Sequence, residues 1–361
     1  MHNEFFRSDQ PPGSAEPTIH RVDGRSIQEC RRWWPARVCG TALVALAITW
    51  MLALWCRSAA AESSEPLAPL PLAVPENAEK VALGERLFQD PRLSRQSQRS
   101  CATCHPLDRG AMDGRSRAEG ASGEELRNTP TLFNVGFNFF FNWDGSVTTL
   151  EAHAEKVLSN PRIMNASWPE LLAVLGADTQ YAQAFSAAYP DGLTQANLVD
   201  TLTCFERSLV TPNSRFDRYL RGEKQALDPA ELEGYRLFKS LGCVACHQGM
   251  NIGGNLFQKF GIYGAPTGTK EIADAGRYAV TRNDRDRGVY RVPSLRNVAV
   301  TAPYFHDGRA PTLEAAVDTM AQEQLGRRLG LKERALIVLF LKTLTGEYRG
   351  KPVTQGTEAP R

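Results

Sequence analysis

The sequence has almost no charge imbalance, few cysteines outside two short runs, and no alternating strand pattern in its long glycine-rich stretches. With 42 basic against 40 acidic side chains in 361 residues, the net charge of +2 is too small to argue for nucleic acid. Partner choice then rests on local patches. Of the eight cysteines, Cys30, Cys39 and Cys56 lie in or before one apolar segment, which argues against a disulfide framework. Cys204, in "VDTLTCFERSL", sits in helical apolar spacing and reads as a buried structural thiol. Residues 106–127 and 248–290 show no period-two alternation, so the fold class is mainly α with long loops.

The remaining four cysteines form two Cys-x-x-Cys-His runs, "CATCH" and "CVACH". Half a zinc site and a thioredoxin-like redox pair compete with covalent haem attachment at such a run. Zinc needs four ligands from nearby segments, whereas each of these runs closes on itself with its own histidine. In the haem reading Cys101 and Cys104 form thioethers to one porphyrin and His105 ligates its iron. Cys243, Cys246 and His247 repeat the arrangement. The length suggests about two domains. The expectation is therefore two c-type cytochrome domains with long loops, each around one covalently bound haem c.

Residues 38–55, "VCGTALVALAITWMLALW", form an uncharged apolar run behind Arg31, Arg32 and Arg37. This is either a signal peptide, with small residues offering cleavage after Ala61, or a retained membrane anchor. Both readings place the rest of the chain in the periplasm, soluble or anchored to the inner membrane. The expected organisation is an N-terminal segment over 1–61, a proline-rich linker over 62–75, haem domains over 76–212 and 213–350, and a tail over 351–361. "NAEKVALGERLFQD" spaces Val81, Leu83, Leu87 and Phe88 on one helical face, and "GYRLF" before the second motif repeats "GERLF" before the first. Further amphipathic helices are expected near 148–158, 167–176, 178–188 and 194–209, with "TPNSRFDRYLRG" as the crossing between halves.

From about residue 76 to 347 the chain resembles the bacterial di-haem cytochrome c peroxidases and their MauG relatives, which oxidise protein tryptophans. The resemblance runs through "RLFQDPRLS", "CATCH", "RNTPTLFNVGFN", "NWDG", "FERSLVTPNSRFDRYLRG", "GCVACHQG", "SLRNVAVTAPYFHDG" and "LEAAVDTM". It implies Met320 as the second ligand of the C-terminal haem, a soft thioether that raises the potential. MauG relatives carry tyrosine there, so methionine favours the peroxidase arrangement. It implies Trp143 as the carrier of electrons between haems, and a calcium ion held by Asn128 through its amide and by Thr301 and Pro303 through main-chain carbonyls.

Two departures matter. Residues 106–127 lack the histidine that the well-studied peroxidases place on the resting N-terminal iron, so a water or an open position is expected there. Ile163 stands where the family has its distal glutamate, and His153 where it usually has a glutamine. His153 is then the candidate acid–base group, because an imidazole titrates near neutrality, with ligation or a propionate bond as its alternatives. Glu155 is the reserve proton carrier. The implied activity is reduction of hydrogen peroxide with electrons from a small cytochrome c or a cupredoxin, with a homodimer as a candidate assembly. A MauG-like oxidase modifying a protein side chain and a non-catalytic electron-transfer or sensor protein are the rival readings.

Overall fold

In the computed structural model, residues 65–264 and 274–356 are described; the apolar run and the site after Ala61 lie outside them. Among the described residues no helix is long and apolar enough to cross a membrane. The helices are α1 (Ala78–Phe88), α2 (Cys101–Cys104), α3 (Leu150–Ser159), α4 (Trp168–Gly176), α5 (Thr179–Ala188), α6 (Gln195–Ser208), α7 (Arg215–Leu220), α8 (Pro229–Ser240), α9 (Tyr278–Thr281), α10 (Leu313–Leu325) and α11 (Leu331–Lys342). The four amphipathic helices expected in the first half form within two residues of their expected ends. The expected crossing segment is itself helical over α7, where the Ser214 side chain accepts from the Asp217 N–H. One pairing went unanticipated: β1 (Phe257–Lys259) runs antiparallel to β2 (Val289–Arg291), too short for alternation to register. A second short ribbon joins β3 (Glu347–Tyr348) to β4 (Lys351–Pro352).

Each half is built on one crossed helix pair. In the first, the Asn77 side chain accepts from the N–H groups of Glu79 and Lys80, starting α1, and Leu83, Leu87 and Phe88 turn inward. Gly84 lets α1 approach α6 so closely that a Cβ would meet the Thr201 carbonyl and the Phe205 side chain. In the second, Asp228 and Glu231 form a capping box that starts α8. Gly234 there meets the Leu336 carbonyl and Phe340 of α11. A glycine inside a helix costs about 1 kcal/mol relative to alanine, and here the close crossing requires it.

The halves correspond residue by residue. A shift of 163 positions carries Asn134 onto Asn297, both left-handed with φ of 63° and 61°, and the helix cap Thr149 onto Thr312. It also carries the bridge Phe141–Val147 onto Tyr304–Ala310. A shift of 135 positions relates the ends of α6 and α11: Asn134 N donates to Leu209 O (2.7 Å) as Asn297 N does to Leu344 O (3.1 Å). Asn134 Oδ1 accepts from Thr211 N (2.8 Å), and Asn297 Oδ1 from Gly346 N (3.0 Å).

The ends of the described chain hold the halves together. Within the segment expected as a linker, Leu67 and Leu70 are buried: Leu67 bridges to Gly249, and Leu70 N donates to Asp217 Oδ1 (3.1 Å). At the other end Val353 packs among Phe133, Phe205 and Leu209 of the N-terminal half.

Candidate haem centres

The second motif opens with Gly242 at φ 88° and a single 3-10 turn over Cys243–Ala245. His247 Nδ1 donates to Ile252 O (3.4 Å), which leaves Nε2 with its lone pair, the form an iron ligand needs. Protein packed around the ring pushes its pKa down to about 4, keeping the imidazole neutral. Cys243, Cys246, His247 and Met320 line one cavity, and Leu341 of α11 forms part of its wall. Met320 reaches that wall from the third turn of α10, whose start is fixed by Thr312 accepting from Ala315 N.

The first motif is the short helix α2, with a Ser100–Thr103 capping box. His105 Nδ1 donates to Ala111 O (3.0 Å), the same carbonyl fixing of the ring. Neither motif closes a disulfide, so all four thiols are available for thioethers. His153 Nε2 donates to Asn142 Oδ1 (3.1 Å), and Asn142 is oriented by its amide donating to Ser146 Oγ (3.0 Å). His153 is an electrostatic neighbour of His105. Its titration is not near neutrality as expected: burial first, then His105 and Arg291, push the pKa to about 4. At neutral pH it is therefore a neutral imidazole with the lone pair on Nδ1. Glu155 is not brought to it. Two residues on, about 200° around the helix, Glu155 Oε1 instead accepts from Gln195 Nε2 of α6 (3.1 Å). Ile163 packs in the apolar cluster with Leu158 and Leu171.

Trp143 lines the cavity of the second motif and is held by its Nε1 donating to Asn128 O (2.8 Å). Its ring meets His306 edge-on (6.2 Å, 67°), and His306 stacks on Tyr290 (4.0 Å, 17°). Arg127 bridges Asp144 Oδ2 (2.9 Å) and Asp274 Oδ1 (2.7 Å), fixing the turn that carries Trp143. Asn128, Thr301 and Pro303 line the same cavity. The Asn128 amide nitrogen donates to Arg115 O (2.8 Å), leaving Oδ1 without a donor among the described residues.

A family profile described as di-haem cytochrome c peroxidase matches residues 78–225. Cytochrome c551 peroxidase of Nitrosomonas europaea is 42% identical over 287 residues, 79% of this chain and 85% of that protein. The chain belongs to the di-haem cytochrome c peroxidase family. Cytochrome c peroxidase Ccp of Escherichia coli is also 42% identical, and this chain spans 62% of its length. MauG, the methylamine utilization protein of Methylorubrum extorquens, is 34% identical over 77% of this chain and 82% of its own. Among solved structures, a MauG-like protein associated with microbial copper homeostasis superposes with a TM-score of 0.68 at 31% identity, covering 79% of this chain and 94% of that one. The diheme peroxidase BthA of Burkholderia thailandensis, at 22% identity and a TM-score of 0.63, shares the fold over 78% of this chain and 90% of its own.

Family membership implies haem c, and the residues present fit it. The clearest sign is Arg291, which sequence reasoning missed. It is 4% exposed, lines the cavity, and donates from Nε to Asn142 O (3.1 Å). Its remaining guanidinium nitrogens have no partner among the described residues. Burial alone lowers its pKa, to about 10. A buried guanidinium without an anion is costly, and a haem propionate would supply one. Tyr290, His306 and Glu206 were also missed. Aligning the sequence on itself at a shift of 163 would have found His306, which takes the place of Trp143 in the second half.

Proposed function

We propose that the protein is a periplasmic di-haem peroxidase with its two centres divided between electron uptake and peroxide reduction. One observation carries this division: the 163-residue shift carries Val157 onto Met320. The His247 cavity is lined by Met320, which would supply a second iron ligand, whereas the His105 half has at that place Val157, packed in the N-terminal apolar cluster. A valine cannot ligate, so a haem held at His105 would have no protein ligand from this position and would be left accessible to substrate. Haem bound at the two motifs supplies the redox chemistry, hydrogen peroxide plus two electrons and two protons giving two waters.

The chain's own groups hold and move the other reactants. His105 and His247, each fixed by a backbone carbonyl, would hold iron through Nε2. Met320 favours the reduced state at the second centre, where a small cytochrome c or a cupredoxin delivers electrons. Trp143, with an oxidisable indole between the centres, carries them across. His153 is neutral and keeps a lone pair at Nδ1, so it can take a proton from one peroxide oxygen and return it to the other. Glu155, engaged by Gln195, has no part in this exchange. Asn128 Oδ1, with the carbonyls of Thr301 and Pro303, suits a calcium ion with waters completing its shell. A homodimer and a signal peptide or membrane anchor complete the reading.

Stopped-flow mixing of reduced protein with peroxide and a reduced cytochrome c tests it. Rapid donor oxidation is expected. A long-lived oxidised spectrum without donor consumption would point to a MauG-like oxidase, and no spectral change to an electron carrier. His153→Ala should slow the peroxide reaction about 10²- to 10⁴-fold and leave the C-terminal haem spectrum unchanged. A wild-type rate would remove His153 from the mechanism.

A further inference from the structure

The correspondence between the halves isolates one substitution. The shift of 135 positions that carries Leu209 onto Leu344 and Thr211 onto Gly346 also carries Glu206 onto Leu341. Leu341 forms part of the wall of the cavity at the second motif. Glu206 therefore occupies, in the N-terminal half, the place where the other half presents an apolar side chain to its cofactor.

Glu206 is 7% exposed, and its Oε2 has no hydrogen-bond partner among the described residues. The groups around it are otherwise engaged. Arg207, next on α6, turns to Glu76 (2.9 Å) and Glu151 (2.5 Å), which takes up the carboxylate that α3 offers. From α1, Lys80 is bound to Asp200 (2.8 Å). From α2, Cys101 is an electrostatic neighbour, and Glu206 adds to burial in raising that thiol's pKa. The 3-10 turn Val135–Phe137 brings no charge. Among the described residues no cation is left for a carboxylate at this position, and an isolated buried charge is expensive. The carboxyl responds by keeping its proton: burial first, with Glu151 adding and Arg207 opposing, raises its pKa to about 8.

We propose that Glu206 is the proton-holding group of the N-terminal haem site, binding a proton when that site gains an electron and releasing it when the electron leaves. Above about pH 8, where the acid has ionised in the oxidised site, one electron arrives from the other centre and one proton from solvent, converting the carboxylate back to the neutral acid. The charge balance of the buried site is then unchanged. The role answers a need visible in the same half, where Ile163 offers no proton and His153 is already neutral. The inference rests on haem at the CATCH run but not on turnover of peroxide.

The sign follows from linkage. Reduction makes the site more negative and raises the affinity of Glu206 for its proton, so the potential of the N-terminal haem is flat below about pH 8 and falls as pH rises above it. Redox titration of the holoprotein, followed in the N-terminal haem absorbance at a series of pH values, measures it. The limiting slope is ~59 mV per pH unit, the value of a tenfold change in a one-electron equilibrium. The slope should vanish in Glu206→Gln and in Glu206→Leu, the second restoring the residue found in the other half and so suited to fold. The pH dependence of the C-terminal haem should be the same in all three proteins. Redox-difference infrared spectra of the wild type should show a carboxylic acid band that responds to N-terminal reduction and disappears in Glu206→Gln. An unchanged slope in both variants, or no such band, would overturn the proposal. A protein that titrates as expected yet fails to reduce peroxide would leave it standing and sink the peroxidase reading instead.

Discussion

Asp217→Ala should be among the most destabilising single changes in this protein. Arg296 is 1% exposed at its side chain and Asp217 0%, with Nη1 and Oδ1 2.7 Å apart. The guanidinium also donates from Nη2 to Ala68 O (2.8 Å) and from Nε to Met250 O (3.0 Å). Asp217 in turn accepts from Leu70 N (3.1 Å) and Ser214 Oγ (2.8 Å). Removing the carboxylate leaves a buried cation without its counter-charge and two neutral donors without an acceptor. Breaking a buried pair from one side costs about 3–5 kcal/mol, against a total stability of about 5–15 kcal/mol for a typical protein. At ~2–4 °C per kcal/mol for a chain of this size, a loss of roughly 4 kcal/mol lowers Tm by about 8 °C or more. Asp217→Leu combined with Arg296→Met should recover part of the loss, because no buried cation is left without a counter-charge, while Leu70 N, Ser214 Oγ and the Ala68 and Met250 carbonyls still lose their partners. Urea titration of the holoprotein, read by far-UV circular dichroism and haem absorbance, compares the three proteins. A loss below about 1 kcal/mol for Asp217→Ala, or a double variant no better than the single one, would refute the reasoning.

Met320→His should lower the potential of the C-terminal haem, because imidazole stabilises ferric iron more than a thioether does; an unchanged potential would make Met320 core packing. Acid should destabilise the fold through His153 and His306, both held by burial at about 4 against an ordinary 6.5. Between those values the unfolded chain binds protons that the native state refuses, so stability is full above pH 6.5 and falls as pH drops towards 4. Urea midpoints at pH 7 and pH 5 check the sign, and a higher midpoint at pH 5 would contradict it.

The parts of this molecule that were legible in its sequence are those whose cause is local. Asn77, Thr149, Thr194 and Asp228 each cap a helix within a few residues of themselves, so helix starts could be placed before any contact was known. The two Cys-x-x-Cys-His runs carry their own spacing. The linker misled because proline content describes backbone stiffness and says nothing of what Leu67 and Leu70 pack against, both at most 2% exposed. His153 misled for the same reason: its position was readable, but the burial that sets its protonation comes from residues far along the chain. Arg291 and Glu206 were invisible as a pair of problems, since an unpaired buried charge exists only once the fold has removed its water. The internal repeat was glimpsed in "GERLF" and "GYRLF" but hidden elsewhere, because loops of different length make the shift 163 over one stretch and 135 over another.

One hydroxyl closes the seam between the repeats. Thr211 Oγ1 accepts from the Asn134 amide (2.8 Å) and from the Asn297 amide (2.9 Å), so a single atom is shared by the two equivalent segments that lead to Trp143 and to His306. Electron tunnelling falls exponentially with the width of the gap, and fluctuations of that gap would spread the transfer rate over a wide range. A shared acceptor sets both segments against one fixed point, so the distance an electron must jump becomes a property of the backbone. It would not have to be re-established at each encounter with a donor.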